Sequence, residues 1–271
     1  MTKRMNTKDS HIKQLTNTIL IIKIGGKVAE DEQQLESVLD GLARLNVPVI
    51  LVHGGGAQAT SMAEALSVKS QMIDGRRVTD TAMLDIAIMV YGGLINKKMV
   101  AQLESRGRKA LGLTGADMGV IRSVKRSAHP VDFGWVGDIE SINTEELLVL
   151  LERGIIPVLA PLSSDGSGQL LNTNADSIAA HVAIALAENS SFQVSLNLCF
   201  DLEGVMVDGK LCEVFSPQDF KMAKKDKQVS GGMIPKLDVG FKAVQAGVSP
   251  VRIVHSKDLY TQHSGTYLRL D

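Results

Sequence analysis

Apolar and polar residues follow two periods along the chain, which predict strands and helices in turn. Short β-branched and apolar runs are too brief for helices and are typical of strands buried on both faces of a parallel sheet. The predicted strands are Ile19–Ile24, Val49–Val52, Ala110–Leu113, Ile156–Ala160, Phe192–Leu198 and Val251–His255. The predicted helices between them are Glu32–Leu45, Gln58–Leu66, Thr81–Arg106, Thr144–Arg153, Ala175–Glu188 and Met233–Ala246. This alternation predicts an α/β fold whose parallel sheet is covered by helices on both faces.

Two stretches interrupt the alternation and have the composition of hairpins. The segment KSQMIDGRRVTD turns at Asp74-Gly75, and SSDGSGQLLN turns at Asp165-Gly166. Asp-Gly is a favoured pair in tight turns between antiparallel strands. We therefore expect two hairpins over the sheet edge, where such elements often form the walls or lids of binding sites.

Composition narrows the class of protein. The chain has 271 residues, 44% of them hydrophobic, which is enough to bury an α/β core as one large domain or two lobes. A formal net charge of -1 gives no electrostatic signature of nucleic acid or of an anionic membrane, and neither partner is expected. No apolar run approaches the ~20 residues of a membrane-spanning helix. Cys199 and Cys212 are the only cysteines, which favours a reduced, cytoplasmic setting and packing roles for both.

The N-terminal stretch is polar and mildly basic. Residues 1–17 lack the apolar centre of a secretory signal, and a transit peptide is not expected. They are predicted to form a flexible tail, with a short helix that joins subunits as the alternative.

The first predicted strand ends in a glycine turn flanked by cations. The sequence IIKIGGK places Gly25-Gly26 between Lys23 and Lys27. Glycine lets a ligand approach backbone N–H groups without an intervening side chain, and oriented amides beside two lysines suit an anion. The alternative is an ordinary strand-to-helix turn with a solvated lysine.

A second glycine turn follows the second predicted strand. In VILVHGGGAQ, Gly54-Gly55-Gly56 lead into a helix whose N-terminal amides also favour negative charge. Two such turns at the carboxyl ends of neighbouring strands would line one crevice. Neither has the spacing of a Walker A loop or of a dinucleotide-binding G-x-G-x-x-G motif. His53 is expected to form hydrogen bonds at the strand end rather than to act as a catalyst.

Further candidate ligand-binding residues lie in three later motifs. They are Arg76 and Arg77 in GRRVTD, then Asn172, Asn174 and Asp176 in LNTNAD, then Lys236 in SGGMIPK. Each also has an alternative explanation that involves no ligand. The two arginines could form a solvated face of the hairpin, Asn174 or Asp176 could cap a helix, and Lys236 could be an exposed helix residue. Their occurrence together favours a shared function.

Five motifs in this order resemble one known family. KIGGK, VHGGG, GRRVTD, LNTNAD and GGMIPK are together similar to the amino-acid kinase family, most closely to its members that phosphorylate N-acetyl-L-glutamate. GGLINKKMVAQL and DFGWVGDI resemble the family's central helix and acceptor-side loop. The similarity extends from about Ile19 to the C-terminal SGTYLRL. Each motif alone is weakly specific, whereas five in this order and spacing are a strong signal.

The resemblance implies a fold and a reaction. The fold would be a three-layer αβα sandwich with an open, mainly parallel central sheet, in a single domain over 18–271. An N-terminal lobe, about 18–189, would bind the acylglutamate and a C-terminal lobe, about 190–271, the nucleotide, usually in a homodimer. ATP, with Mg2+ bound to it, would phosphorylate the γ-carboxylate of N-acetyl-L-glutamate, as in arginine biosynthesis. No general base is needed, because that carboxylate is already ionised at neutral pH.

The motif positions imply catalytic roles. Lys23 and Lys236 would contact the transferring phosphoryl group from two sides, and Asp176 would keep both lysines charged and oriented. Three glycines would direct their backbone N–H groups at the equatorial oxygens of the phosphoryl group: Gly25, Gly26 and Gly55.

The motif positions also imply substrate contacts. Arg77 would clamp the α-carboxylate of the acylglutamate with its planar guanidinium, and Asn172 would bind the same substrate through its amide. Gly55 and Gly56 would lie against it.

The nucleotide-binding turn departs from the family pattern. Members usually carry a small hydroxyl residue before the aspartate, whereas this chain has Phe200 before Asp201 in LCFDLEGV. Asp201 and Lys236 are the candidate nucleotide-binding residues. The aromatic ring can reshape the adenosine site.

Alternatives remain for the substrate and the activity. Arg76 stands where relatives usually have an apolar residue, and a guanidinium there could pair with the terminal carboxylate of N-succinyl-L-glutamate. Because neighbours on a strand face opposite sides, Arg76 is expected to point to solvent, so N-acetyl-L-glutamate is the leading substrate. GRRVTD and LNTNAD argue against glutamate 5-kinase, aspartokinase, carbamate kinase and uridylate kinase. A non-catalytic binding protein of this fold is disfavoured, because Lys23, Asp176 and Lys236 are all present.

Overall fold

The computed structural model describes residues 17–73 and 75–271. The predicted N-terminal tail therefore lies outside the described residues except for Asn17, whose carbonyl accepts a hydrogen bond from the N–H of Gln193 at 2.8 Å. Asp74, at the predicted tip of the first hairpin, also lies outside them.

The strands and helices alternate as the sequence predicts. In chain order the strands are β1 (Thr18–Ile24), β2 (Val49–His53), β3 (Gln71–Ile73), β4 (Arg76–Val78), β5 (Ala110–Leu113), β6 (Ile121–Lys125), β7 (Gly137–Ile142), β8 (Ile156–Leu159), β9 (Leu162–Ser164), β10 (Leu170–Asn172), β11 (Gln193–Phe200), β12 (Met206–Val207), β13 (Lys210–Leu211), β14 (Val214–Phe215), β15 (Val251–His255) and β16 (Thr266–Leu268). The α-helices are α1 (Gly26–Glu30), α2 (Glu32–Ala43), α3 (Gly56–Ala65), α4 (Thr81–Ala87), α5 (Asn96–Ser105), α6 (Thr144–Glu152), α7 (Ala175–Asn189), α8 (Pro217–Lys225) and α9 (Met233–Gln245). A π-helix, Ile88–Ile95, joins α4 to α5, and short 3-10 turns lie at Asp117–Gly119 and Ser256–Asp258.

Eight strands form the central sheet, in the order β14-β16-β15-β11-β1-β2-β8-β5. Every neighbouring pair in it is parallel except β15 and β16. One apolar core, which includes α6, α7 and α9, covers one face, and a second core with α2 to α5 covers the other. The predicted fold class, a three-layer αβα sandwich with an open, mainly parallel sheet, is confirmed.

Strand β1 shows how the two faces are filled. Ile19 and Ile21 belong to the core beneath α7, whereas Ile22 and Ile24 belong to the core beneath α2. Successive side chains of a strand point to opposite faces. Lys23 therefore continues the face of Ile19 and Ile21, which directs its side chain towards α7.

A smaller sheet, β10-β9-β6-β7, and two hairpins, β3–β4 and β12–β13, accompany the central sheet. The hairpins predicted around Gly75 and Gly166 are confirmed as β3–β4 and β9–β10. All six predicted strands are present, with ends that differ by at most two residues. The sequence did not predict β6, β7, β12 to β14, β16 or α1, because these elements are short or lack a clear period.

Candidate active site

The two glycine turns lie against each other at the carboxyl ends of β1 and β2. The N–H of Gly54 donates to the carbonyl of Ile24 at 2.8 Å. A Cβ atom on Gly54 would stand 2.9 Å from the backbone nitrogen of Gly26, so a larger residue would push the turns apart. Both turns line one cavity of about 230 Å³, and the predicted shared crevice is therefore present.

Most of the predicted site residues line this cavity. They are Lys23, Gly26, Gly55, Gly56, Arg76, Arg77, Asn172, Asn174 and Asp176. Lys236 instead lines a neighbouring cavity of about 570 Å³, together with Arg76 and Asp176. Asp176 thus borders both cavities and connects the two sides of the site.

Gly25 differs from its predicted role. Its N–H donates to the carbonyl of Cys199 at 2.9 Å, so this donor is already used by the protein. A Cβ atom at this position would lie 2.9 Å from Cδ1 of Phe200. Gly25 therefore makes room for the ring, and backbone donors for an anion are left to Gly26 and Gly55.

Lys23 and Asp176 form a buried ion pair. Lys23 lies near the end of β1, and Asp176 lies in the first turn of α7, where the helix dipole favours a carboxylate. Nζ and Oδ1 are 2.7 Å apart, and the residues are 5% and 7% exposed. Because a buried charge without a partner is costly, each member of the pair compensates the opposite charge of the other.

Lys236 extends from α9 to the same aromatic ring as Lys23. Its Nζ lies 4.5 Å from the centre of the Phe200 ring, and Nζ of Lys23 lies 4.2 Å from that centre. Nζ of Lys236 also donates to the carbonyl of Gly232 at 2.8 Å. Burial lowers the pKa of Lys236, and nearby Asp176 opposes this effect. Asp176 is predicted to hold both lysines, but its direct ion pair is with Lys23.

Asp201, which follows β11, pairs with Lys27 of the first glycine turn. Nζ of Lys27 and Oδ2 of Asp201 are 2.8 Å apart. The hydrogen bond from Lys27 holds the pKa of Asp201 below its usual value, and the same bond raises the pKa of Lys27. The Lys27 side chain is exposed, so solvent screens the pair. The contact links the first glycine turn to the predicted nucleotide side.

Arg77, in β4, is buried and hydrogen-bonded to the second glycine turn. Its Nη2 donates to the carbonyl of Gly56 at 2.7 Å and to Oγ1 of Thr60 at 2.8 Å. Its Nη1 donates to Oγ of Ser70. Both terminal nitrogens are therefore engaged, so a substrate carboxylate would bind at Nε or exchange with the hydroxyls of Thr60 and Ser70.

The two asparagines of the LNTNAD motif have different environments. Asn172 ends β10, and its Nδ2 donates to Oγ1 of Thr79 at 2.9 Å. Asn174 accepts a hydrogen bond from the N–H of Ser177 at 2.9 Å, so the alternative of a helix cap is confirmed for this residue.

Two further arginines stand at the cavity of the glycine turns. Arg76 is exposed, as predicted from its alternation with Arg77, yet it lines this cavity together with Arg126. Nε of Arg126 donates to Oδ1 of Asp138 at 3.0 Å. Within the described part of the chain, Arg76 forms no ion pair. The cavity therefore has more positively charged side chains than are needed to bind the α-carboxylate of one acylglutamate.

His53 anchors the second glycine turn. Its Nδ1–H donates to the carbonyl of Gly54 at 2.8 Å, which leaves Nε2 to accept from Nδ2 of Asn96 at 3.2 Å. Burial lowers the pKa of His53 to about 4, so the ring is neutral at neutral pH. The hydrogen-bonding role predicted for His53 is confirmed. Because C=O and N–H of a peptide group point in opposite directions, this anchor directs the N–H of Gly55 away from His53.

Sequence reasoning missed the residues that support the predicted ones. They are Thr60, Ser70 in KSQMIDGRRVTD and Asn96 in GGLINKKMVAQL, and the sequence pattern alone gives none of them a role. The one available signal was the spacing of Thr60, a helical turn after Gly56, which places its hydroxyl beside the glycine turn.

Within residues 17–73 and 75–271, no three His, Cys, Asp or Glu side chains are grouped in a way that could hold a metal ion. No helix in these residues is long and apolar enough to cross a membrane. Cys199 and Cys212 are both free thiols, and burial raises the pKa of Cys199 to about 12, as suits a packing residue.

Comparison with known proteins agrees with this geometry. Residues 18–255 match the amino acid kinase family. The chain is 46% identical over 255 residues to an acetylglutamate kinase of Phocaeicola vulgatus, covering 93% of this chain and 98% of that one. It is 44% identical over 260 residues to an acetylglutamate kinase of Bacteroides fragilis, covering 94% and 98%. The crystal structure of smu.665 from Streptococcus mutans UA159 is similar with a TM-score of 0.80 at 28% identity, covering 94% of this chain and 100% of that one.

Proposed function

The chain belongs to the amino acid kinase family, and we propose that it uses ATP to phosphorylate the γ-carboxylate of N-acetyl-L-glutamate. The observation that carries this proposal is the buried ion pair of Lys23 and Asp176 beside the two glycine turns. Relatives named acetylglutamate kinase, 44% and 46% identical, support the choice of acceptor. The product is an acyl phosphate, and the reaction serves arginine biosynthesis.

The proposed mechanism rests on positioning and on stabilisation of charge. The acceptor carboxylate is ionised at neutral pH, so no base has to remove a proton. An ammonium group has three N–H donors, and Lys236 gives one of its own to the carbonyl of Gly232, whereas Lys23 forms the ion pair with Asp176. The remaining donors are available to oxygens of the transferring phosphoryl group. The backbone N–H groups of Gly26 and Gly55 are further donors to the same oxygens.

The acceptor would lie in the cavity of about 230 Å³ at the second glycine turn. Arg77 would bind the α-carboxylate of the acceptor. The amide oxygen of Asn172, which the bond to Thr79 leaves free, would accept a hydrogen bond from the amide N–H of the acceptor. Gly55 and Gly56 have no side chains, so the acceptor can approach the backbone there.

The nucleotide would bind on the side of Lys236 and Asp201. Mg2+ would come with the nucleotide and be held mainly by phosphate oxygens and water. It would neutralise phosphate charge.

The proposed organisation is one domain with an acylglutamate lobe over about 18–189 and a nucleotide lobe over about 190–271, assembled as a homodimer. Met89 and Leu94, in the π-helix, are 52% and 39% exposed despite their apolar side chains. Such a surface suits contact with a second copy. Light scattering that gave the mass of a monomer would contradict the dimer.

The test of the reaction is direct detection of the acyl phosphate. With ATP, Mg2+ and N-acetyl-L-glutamate, hydroxylamine should trap a hydroxamate as ADP is released. Lys23→Ala and Lys236→Ala should each lower kcat by roughly 100-fold or more, with smaller effects on the KM of the acceptor. Lys225→Ala, at an exposed lysine of α8, is the matched control and should leave kcat unchanged. Absence of hydroxamate would contradict the reaction, and kcat within about threefold of wild type in both lysine variants would contradict the assigned roles.

One observation favours N-succinyl-L-glutamate as a second candidate acceptor: Arg76 and Arg126 line the same cavity as Arg77. An acetyl group offers these cations no charge, whereas a succinyl group ends in a carboxylate. Arg126 is paired with Asp138, so Arg76 is the cation to test. A preference in kcat/KM for the succinyl compound that Arg76→Leu abolishes would support this candidate. Preference for the acetyl compound, unchanged in Arg76→Leu, would exclude it.

A further inference from the structure

We propose that Phe200 is a positioning residue for phosphoryl transfer, whose aromatic ring holds the ammonium groups of both Lys23 and Lys236 beside the glycine turns. This inference rests on the proposed function. It gives a role to the residue at which the chain departs from the pattern of the family.

The geometry places one ring between two functional cations and a glycine turn. Nζ of Lys23 and Nζ of Lys236 lie 4.2 and 4.5 Å from the ring centre, both within the range of cation–π attraction. Phe200 is 6% exposed, so water screens these contacts little. Its Cδ1 would lie only 2.9 Å from a Cβ on Gly25, so the missing side chain of this glycine is what admits the ring.

The ring attracts two ammonium groups that repel each other, and it adds no net negative charge to the site. Lys23 and Lys236 repel each other, and among the described residues only Lys23 has a carboxylate in direct contact. A second carboxylate beside Lys236 would hold it, but would also repel the negatively charged phosphoryl group. The negative face of an aromatic ring attracts an ammonium group without carrying a net charge.

The ring also leaves the donors of the lysines available. A cation–π contact is made with the ring face and needs no acceptor atom, so it does not require a directed N–H bond as a carboxylate does. Lys236 can therefore be held by the ring and by the Gly232 carbonyl, and still direct the remaining N–H groups at phosphate oxygens. A small hydroxyl residue at this position could not fill this space or attract both cations.

The competing explanation is that Phe200 only fills space and excludes water. Phe200→Leu does not separate the two, since it removes the ring face and changes the packing together. Ring fluorination does separate them, because it withdraws charge from the ring face while it changes the size of the side chain little.

The experiment replaces Phe200 with phenylalanine analogues that carry one, two and three ring fluorines, and measures hydroxamate formation from N-acetyl-L-glutamate. We expect kcat to fall stepwise, by about tenfold over the series, because each fluorine weakens the attraction for both lysines. The KM of the acceptor should change by less than about threefold, since Phe200 does not line the acceptor cavity. Melting temperatures should stay within about 2 °C of wild type.

The matched control is the same fluorine series at Phe220, whose ring has Nζ of Lys224 at 5.8 Å and stacks on Phe241 away from the site. This series should leave kcat unchanged. A flat kcat series at Phe200 in an active, folded enzyme would overturn the inference and leave the proposed function intact. An inactive wild-type protein would overturn the proposed function and this inference with it.

Discussion

Nζ of Lys23 lies 2.7 Å from Oδ1 of Asp176, with both side chains less than a tenth exposed. The contact joins the end of a central strand to the first turn of a helix in the next layer. The pair therefore combines the ammonium group proposed to act in catalysis with a link between two layers of the fold. The effects on activity and on stability can be measured separately.

Removing one charge of this pair should cost both stability and activity. Asp176→Asn leaves Lys23 buried without a counter-charge, which should lower the free energy of unfolding by about 3–5 kcal/mol and kcat by about 100-fold. A double variant, Lys23→Met with Asp176→Leu, should recover part of the stability but none of the activity. Urea unfolding and the hydroxamate assay measure the two effects.

The surface pair Arg106–Asp40 provides the control for this prediction. The Asp40 side chain is 52% exposed, so Asp40→Asn should change the free energy of unfolding by less than about 1 kcal/mol and leave kcat unchanged. If the Asp40 and Asp176 variants lost the same free energy of unfolding, burial would not explain the stability that the Lys23–Asp176 pair contributes.

His53 should make the protein less stable in mild acid. Its pKa is lowered from 6.5 to about 4, so between these values the unfolded chain binds a proton that the folded chain does not. Stability should therefore be full above pH 6.5 and fall as the pH drops towards 4, by about 3 kcal/mol in total. The measurement is the free energy of unfolding in urea as a function of pH.

Two variants test whether this pH dependence belongs to His53. His53→Asn can keep a donor to the Gly54 carbonyl but does not titrate, so its pH dependence should be flatter by the same amount. His263→Asn changes an exposed histidine and should keep the wild-type slope. An unchanged slope in His53→Asn would show that other groups cause the effect.

Arg77→Ala should weaken binding of the acylglutamate and leave nucleotide binding nearly intact. The variant removes a buried guanidinium from the acceptor cavity and also one of the donors to the carbonyl of Gly56, which keeps its hydrogen bond from Oγ1 of Thr60. We expect affinity for the acceptor to fall by at least about tenfold, as for a lost charge-assisted contact. Isothermal titration with each ligand measures this.

Arg108→Ala is the matched control for Arg77. Arg108 also donates to backbone carbonyls, those of Ala43 and Leu45, but does not line the acceptor cavity. Both ligands should bind this variant as they bind wild type. A parallel loss of nucleotide affinity in Arg77→Ala would point to general damage at the glycine turns.

Two glycine substitutions should have opposite outcomes. A Cβ on Gly55 would lie 2.3 Å from Cδ1 of the buried Ile95, so Gly55→Ala must displace either that side chain or the second glycine turn. We expect the turn to move and kcat to fall by at least about tenfold. Gly93, in the π-helix, has nothing within 4 Å of a Cβ, so Gly93→Ala should be neutral or stabilise by up to about 1 kcal/mol. The melting temperature and kcat of both variants, compared with wild type, test this prediction. A neutral Gly55→Ala would show that this turn tolerates movement.

The sequence predicted the fold well because buried parallel strands and amphipathic helices have distinct periods. It also predicted that the glycine turns meet, since the carboxyl ends of neighbouring parallel strands share one edge. It could not predict β6 and β7 of the smaller sheet, because their pairing is set by tertiary contacts rather than by a local pattern.

In the candidate site, the sequence predicted which residues line the cavity. It predicted less well which atoms each of these residues contacts. Arg77 was expected to be a free clamp, yet Thr60 and Ser70 occupy its terminal nitrogens. Gly25 was expected to offer its N–H, which the neighbouring strand uses instead. Such contacts depend on side-chain and backbone geometry to within an ångström, and residue identity does not contain that information.

The pairing of β1 with β11 constrains how the two proposed lobes can move. Seven residue pairs, from Thr18↔Gln193 to Ile24↔Cys199, join the first strand of one proposed lobe to the first strand of the other. A hinge between the lobes would have to break this hydrogen-bonded ladder, whose polar groups are buried and would find no water. Closure around two substrates is therefore expected to occur as a twist of one continuous sheet, with the peripheral hairpins carrying most of the displacement. The elastic stiffness of the sheet, rather than a flexible linker, would then set the energy of closing.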